Sequence, residues 1–187
     1  MLAKMIFTIG VATLFSCGNA DGIEDDYKKL MGSEISIPYE AFKTIPCRMT
    51  SEQRRHRWTY VSFVDSLACT PCHMSTVGKW DRIQDLFRKA GTDVQITLVY
   101  CPRASNMEGL TENYMISGCT RIVYIDSCAR FLKDNPQVPS NRKMHTLLLD
   151  SADHVVLIGD PTRNEKIERL MCEIIRKGII NEPSDRE

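Results

Sequence analysis

The sequence has no excess of charge of either sign, since 24 acidic residues balance 24 basic ones. A basic surface for nucleic acid is therefore not predicted. Beyond its N-terminal segment the chain has no apolar run of the roughly 20 residues that a membrane-spanning helix needs. It also has no internal repeats and no low-complexity segments. We therefore expect one domain with one sizeable core.

The N-terminal residues have the pattern of an export signal. Lys4 supplies a short basic start, and residues 5–15 form an apolar run that is too short to remain as a membrane anchor. We assign residues 1–16 to the signal peptide, residues 17–32 to a linker, residues 33–178 to the folded domain and residues 179–187 to a polar tail. Export places the protein in the bacterial cell envelope, facing the periplasm.

Cys17 ends the run Leu14-Phe15-Ser16-Cys17, which resembles a bacterial lipobox. In that motif, signal removal leaves a lipid-modified cysteine at the new N-terminus, so Cys17 is the predicted lipid attachment site. The alternative is ordinary cleavage after Gly18-Asn19-Ala20, which would discard Cys17. Both alternatives predict export, and the first adds a lipid anchor in the membrane.

A Cys-x-x-Cys motif, Cys69-Thr70-Pro71-Cys72, lies between a predicted strand and a predicted helix. The strand is residues 59–64, rich in β-branched and aromatic side chains. After Cys72, apolar residues recur at steps of three and four, which predicts one buried helix face: Val77, Trp80, Ile83 and Phe87. Residues 94–100 form the next predicted strand. The unit is therefore a βαβ crossover with two parallel strands.

The remaining elements complete an α/β pattern. Residues 32–38 are predicted to be a short edge strand, residues 122–125 another strand, and residues 127–135 a short helix. Residues 146–149 and 154–158 flank a turn, as in an antiparallel hairpin. Thr162-Arg163-Asn164-Glu165 has the capping-box pattern and precedes an amphipathic helix that is expected to cover one face of the sheet.

This order of elements resembles the thioredoxin fold, and it is most similar to the exported TlpA/ResA-like thioredoxins that are tethered to bacterial membranes. The similarity covers roughly residues 33–178, and the hairpin with Asp150 and the Cys-Thr-Pro-Cys motif are its most specific parts. The resemblance implies a central mixed sheet flanked by helices, with a C-terminal β-hairpin and a closing helix. It also implies a thiol–disulfide oxidoreductase that acts on protein thiols and disulfides and exchanges electrons with a membrane donor or acceptor.

The resemblance assigns the catalytic roles to Cys69 and Cys72, which would form a redox-active disulfide. At a helix N-terminus, unpaired N–H groups favour the thiolate of Cys69, which attacks, while Cys72 resolves the mixed disulfide. No organic cofactor is implied. Two other readings stay open: half of a zinc site, for which no second half with ligand spacing exists, and a structural cysteine pair.

Met144 occupies the position where thioredoxins place a cis-proline, counting back from Asp150, and His145 follows it. We expect a trans peptide bond before Met144, because a cis bond before a non-proline residue is costly. Thiolate, thioether and imidazole are copper ligands, so a copper-handling protein is an alternative function. The simpler interpretation is that Met144 packs in the core and His145 is a hydrogen-bonded loop residue. A redox-inert binding module is the third possibility.

Five further cysteines remain, and they cannot all pair with one another: Cys47, Cys101, Cys119, Cys128 and Cys172. Cys172 lies beside the apolar stripe of the last predicted helix and is expected to be a packed thiol. Cys101 ends a predicted strand and could pair with Cys119 or Cys128, although spacing alone does not decide this. His73 and Met74 are expected to be a solvent-facing residue and a packing residue, and neither is a predicted ligand.

Overall fold

The computed structural model describes residues 20–45, 56–65, 73, 77–103, 109–110, 112, 114 and 122–180, and in these ranges pairs of strands are separated by helices. The helices are α1 (Ala20–Leu30), α2 (Lys79–Lys89), α3 (Arg130–Asp134) and α4 (Glu165–Ile180). The strands are β1 (Lys43–Ile45), β2 (Thr59–Val64), β3 (Gln95–Tyr100), β4 (Val123–Ile125), β5 (Thr146–Leu149) and β6 (Val155–Ile158). The predicted signal peptide, Cys17 and residues 181–187 lie outside the described residues.

Within the described residues, the strands form one mixed sheet in the order β1-β4-β3-β2-β5-β6. The three middle strands β4, β3 and β2 are parallel to one another. The outer pairs β1–β4, β2–β5 and β5–β6 are antiparallel. The predicted α/β architecture, with its βαβ unit, C-terminal hairpin and closing helix, is therefore confirmed.

Strand β2 forms the centre of the sheet. All six of its residues are buried, and it pairs along its whole length with β3 and along four residues with β5. Its side chains point alternately to the two faces of the sheet, and both faces are covered. The continuous run of β-branched and aromatic residues in β2 follows from this double burial. The carboxyl end of β2 is thereby held in a fixed position.

Helices α2 and α4 cover one face of the sheet. Trp80, Ile83 and Phe87 of α2 are buried against it, as their spacing predicts, and Tyr60 of β2 packs edge-to-face on Phe87 at 6.4 Å between ring centroids. Met171 and Ile175 supply the apolar stripe of α4. Burial of aromatic side chains of this size contributes much of the stability of a core.

Helices α1 and α3 contribute to the second core, on the opposite face. Leu30 at the end of α1 and Phe131 of α3 are buried there, and Phe131 stacks on Phe63 of β2 at 5.2 Å between ring centroids. Helix α1 falls within the segment assigned to a linker, so this part of the linker packs on the domain. Among the described residues, no helix combines the length and the apolar composition required to cross a membrane.

Some local predictions differ from the structure. The edge strand expected at residues 32–38 is confirmed only in its first half, where Glu34 forms an antiparallel bridge to His154 and its neighbours hydrogen-bond to the backbone of Asp153 and Val155. From Ser36 onward it is not a strand, because the side chain of Asn135 binds both the N–H and the carbonyl of Ser36. Strand β1 was not predicted from the sequence.

The capping-box prediction is also wrong in its choice of residue. Asn164, not Thr162, caps α4, because the Asn164 side chain accepts a hydrogen bond from the N–H of Lys166 at 2.9 Å. Thr162 is engaged elsewhere: both its N–H and its hydroxyl donate to the carboxylate of Asp160. Helix α4 therefore begins at Glu165.

Candidate functional site

The predicted redox motif follows the carboxyl end of β2. The structure describes β2 and Asp65, and then His73, whereas Cys69 and Cys72 lie outside the described residues. Their predicted roles therefore stay predictions. His73 is joined to Cys72 by a peptide bond, so its contacts are those of the chain directly after the motif.

A cavity of about 550 Å³ opens at this end of β2. Its lining comes from four places: the end of β2, His73, the turn before β5, and the segment between β6 and α4. The described residues that the following paragraphs use are His73, Asp65, Arg142, His145, Asp160 and Arg163. Cavities of this size, lined by apolar walls and a few polar groups, are where small ligands or peptide segments bind.

His73 contacts the start of the α4 segment. The Arg163 guanidinium donates to His73 Nδ1 at 3.2 Å, and Arg163 also pairs with Asp160 at 3.3 Å between Nε and Oδ2. Burial and the Arg163 charge lower the pKa of His73, and the accepting Nδ1 corresponds to the neutral ring. The expectation of a solvent-facing His73 is wrong: the side chain is partly buried, because the α4 segment packs over it.

The other wall of the cavity carries a second ion pair. Arg142 Nε donates to the Asp65 carboxylate at 2.7 Å, which ties the turn before β5 to the residue after β2. The two acidic side chains of the cavity are therefore each matched by an arginine, Asp65 by Arg142 and Asp160 by Arg163. The local charge is balanced, and this leaves Lys143 as an additional cation in the lining.

His145 is buried beside the cavity, with a side chain only 4% exposed. Its Nε2 is 2.9 Å from the carbonyl oxygen of Pro139, so Nε2 carries the proton and donates it. Its ring packs edge-to-face on Phe63 at 5.6 Å, and its carbonyl accepts the N–H of Phe63 at 2.8 Å. The remaining ring atom, Nδ1, is buried and has no hydrogen-bond partner.

An unpaired Nδ1 lone pair makes His145 the distinctive group at this end of the sheet. Burial lowers the pKa of His145, and this effect outweighs the hydrogen bond to Pro139 and the nearby Asp65 carboxylate, both of which raise it. The ring is therefore neutral, with a lone pair that can accept a proton or a hydrogen bond or bind a soft metal. The sequence pointed to His145 only through its place after Met144.

Met144 ends the short 3-10 helix Arg142–Met144 and is 5% exposed. It packs in the core beside α3, which agrees with the simpler of its two interpretations. None of the described peptide bonds is cis, so the bond before Met144 is trans, as expected. Whether Met144 takes over the alignment of a partner strand stays a prediction.

Among the described residues, no group of three or more His, Cys, Asp and Glu side chains is arranged to hold a metal ion. The copper hypothesis needs the thiols of Cys69 and Cys72, and these lie outside the described residues. The arginine–carboxylate pairs of the cavity were missed by the sequence analysis. The pair of Asp65 and Arg142 joins residues far apart in the chain and leaves no signal in local spacing, whereas Asp160 and Arg163 are three residues apart.

The lowered pKa of His145 leads to a prediction about how stability depends on pH. The folded protein holds His145 neutral, whereas the unfolded chain binds a proton near the ordinary pKa of about 6.5. The unfolded state therefore binds more protons below that pH, and the free energy of unfolding should fall as pH drops through about 6.5. His145→Gln should flatten this acid limb, by up to about 1.4 kcal/mol per pH unit. Urea unfolding at pH 5 to 8 measures it.

A matched control uses His154, whose side chain is 47% exposed in the hairpin turn. His154 lies 3.7 Å from the Asp150 carboxylate, and His154→Gln measures how far removal of any one histidine alters the curve. Equal slopes for His145→Gln and the unsubstituted protein would show that His145 does not contribute the buried neutral imidazole described here.

The chain was compared with known proteins. No protein-family model matches it, and no curated protein matches it. It is similar to the solved structure of a thioredoxin-like protein from Bacteroides caccae, with a TM-score of 0.46 and 12% identity over 81% of this chain. This chain spans only 53% of that protein's length.

Two further solved structures are similar over most of their own length. One is a thioredoxin-like protein from Porphyromonas gingivalis, with a TM-score of 0.47, 16% identity, and coverage of 70% of this chain and 80% of that one. The other is the exposed lipoprotein thioredoxin of Streptococcus pneumoniae. Its TM-score is 0.41 and its identity 15%, and the similarity covers 64% of this chain and 85% of that one. By its strand order, βαβ unit, C-terminal hairpin and closing helix, this chain has a thioredoxin-like fold.

Proposed function

We propose that this protein is an exported thiol–disulfide oxidoreductase that exchanges the Cys69–Cys72 dithiol and disulfide with protein partners. One observation carries the proposal. The residue bonded to Cys72, His73, lines a cavity at the carboxyl end of the central strand β2, together with the buried His145. A cavity of this size, lined by the residue that follows the motif in the chain, has room for a ligand or a partner segment.

The exchange needs no cofactor. The Cys69 thiolate attacks a partner disulfide, a Cys69–partner disulfide forms, and one partner sulfur leaves as a thiolate that takes up a proton. The Cys72 thiolate then attacks the Cys69 sulfur, and the second partner sulfur leaves. Cys69 and Cys72 end as a disulfide, the partner ends as two thiols, and two electrons have passed to the partner.

One neutral imidazole beside the cavity has an unoccupied acceptor nitrogen for the proton transfers of this cycle. His145 has a lone pair on Nδ1 and a fixed tautomer, whereas the Nδ1 of His73 already accepts the hydrogen bond of Arg163. A neutral imidazole can accept the proton that a thiol loses when it becomes a nucleophile. This favours dithiol exchange over a redox-inert scaffold, which has no need of a buried, unpaired proton acceptor.

The asymmetry of the two thiols tests the proposal. Cys72→Ser should accumulate mixed disulfides through Cys69, whereas Cys69→Ser should accumulate none, because the attacking thiol is gone. Both variants should carry Cys128→Ser, so that this exposed thiol does not contribute. Non-reducing gels with mass spectrometry of the trapped species measure the outcome. Equal trapping by both variants, or trapping only by Cys69→Ser, would reverse or remove the assigned roles.

The proposed place of action is the bacterial cell envelope, in the manner of the TlpA/ResA-like branch, with electrons supplied or removed by a membrane partner. The export pattern of residues 1–16 and the lipobox-like Cys17 support this proposal. The mature protein should partition into membranes with an acylated Cys17, and Cys17→Ala should be uncleaved or released in soluble form. Mass spectrometry of an unmodified chain that begins at Asp21 would contradict anchoring.

A further inference from the structure

Two thiols outside the Cys-x-x-Cys motif meet at the carboxyl ends of neighbouring parallel strands. Cys101 follows β3 directly, and Cys128 lies in the turn after β4. Tyr100 and Ile125 are paired in register at the ends of these strands, and the Asp126 N–H donates to the Tyr100 carbonyl at 2.8 Å. The segments that carry the two cysteines therefore start side by side.

The turn that carries Cys128 is held in place by one buried carboxylate. Asp126 is 1% exposed, and it accepts hydrogen bonds from the N–H groups of Cys128, Arg130 and Phe131 at 3.3, 2.8 and 2.8 Å. Ala129 lies within this turn at φ 51 and ψ 40, the left-handed region. These constraints fix the direction in which the backbone around Cys128 faces.

That backbone faces Cys101. Among the groups that act on the pKa of Cys101, the nearby Ala129 backbone N–H lowers it and Cys128 raises it. The Cys101 thiol therefore lies beside the turn that carries Cys128, as a disulfide between the two residues requires.

The two thiols differ in exposure. Cys128 is exposed, Cys101 is partly buried, and neither is in a disulfide in this structure. Burial and the neighbouring Asp126 raise the pKa of Cys101. The exposed Cys128 is therefore the thiol that an external disulfide reaches first, and Cys101 is the thiol that follows.

We propose that Cys101 and Cys128 form a second redox-active dithiol, which closes to a disulfide by exchange with a low-molecular-weight disulfide such as oxidised glutathione. The Cys128 thiolate attacks the glutathione disulfide, a mixed disulfide forms, and one glutathione leaves. The Cys101 thiolate then attacks the Cys128 sulfur and displaces the second glutathione. The protein loses two electrons and two protons, and the glutathione disulfide gains them.

The position of this pair relates it to the candidate site. The Cys101 N–H donates to the carbonyl of Val64, the last residue of β2, at 2.8 Å. The second dithiol therefore lies beside the strand end from which the chain continues to Cys69. It does not require Cys69 or Cys72 for its own oxidation, so it stands independently of the proposed function.

The test uses the full chain with Cys69→Ser and Cys72→Ser, incubated with oxidised glutathione, alkylated and digested with trypsin. The candidate thiols fall in separate peptides, since residues 90–103 carry Cys101, residues 104–121 carry Cys119 and residues 122–130 carry Cys128. We expect a linked species of residues 90–103 and 122–130, in this variant and in the unsubstituted chain.

Single substitutions separate the steps. Adding Cys101→Ser should leave Cys128 as a glutathione mixed disulfide, and adding Cys128→Ser should leave Cys101 mainly as a free, alkylated thiol. Cys172→Ser, on α4, is the matched control and should not change the yield of the linked peptide. Linkage of Cys101 to Cys119, or glutathione on both Cys101 and Cys128 with no linked peptide, would overturn the proposal.

Discussion

Cys69→Ser should slow the reduction of a generic protein disulfide at least about 1,000-fold, the scale expected when a covalent nucleophile is removed. A serine hydroxyl does not ionise near neutral pH and cannot form a disulfide, so neither step of the exchange can start. The assay follows turnover with a small dithiol as the electron donor, at matched protein concentration and pH.

The matched control is Cys172→Ser. Cys172 lies on α4 and packs at the edge of the core on the face that α2 and α4 cover. Its replacement should leave turnover within about twofold, since it removes a thiol without touching the β2 end of the sheet. Turnover of Cys69→Ser within tenfold of the unsubstituted protein would contradict the assignment of Cys69 as the nucleophile.

Asp126→Ala should produce the largest loss of stability among the polar substitutions considered, about 2–4 kcal/mol in the free energy of unfolding. The buried carboxylate accepts hydrogen bonds from three backbone N–H groups in the turn between β4 and α3. Alanine leaves these donors without the carboxylate, and the Phe131 N–H is buried, where an unsatisfied donor is costly. Urea unfolding followed by circular dichroism measures the change.

Asp134→Ala is the control for Asp126→Ala. Asp134 pairs with Arg130 at 2.8 Å on the exposed side of α3, four residues apart in the same helix. Exposed pairs of this kind contribute little, so the loss should be much smaller than that of Asp126→Ala. Equal losses for the two variants would show that the Asp126 carboxylate does not hold the turn.

The parts of the fold with a repeating pattern could be predicted from the sequence. The apolar spacing from Val77 to Phe87 predicted α2, and the β-branched run at Thr59–Val64 predicted β2, because a single period describes each of them. Strand β1 escaped prediction because it has only three residues, two of them exposed. The edge strand predicted at residues 32–38 stops early because a distant side chain, Asn135, binds the backbone at Ser36.

The candidate site was predictable only in part. The motif and the position of Met144 and His145 could be found from sequence order alone. The contact between His73 and Arg163 and the ion pair between Asp65 and Arg142 join residues far apart in the chain. Such contacts depend on how α4 and the turn before β5 pack over the end of β2, and local spacing holds no record of that packing.

The central claim is that Cys69 and Cys72 form one reversible two-electron couple. The most direct measurement equilibrates the Cys101→Ser/Cys128→Ser variant with a series of dithiothreitol redox buffers, followed by acid quenching, alkylation and mass spectrometry of the fraction oxidised. We predict a single transition with a slope of about 30 mV per tenfold change in ratio, as for any two-electron couple, and its loss when Cys69→Ser is added. A transition that persists with Cys69→Ser, or the absence of any transition in the first variant, would contradict the account.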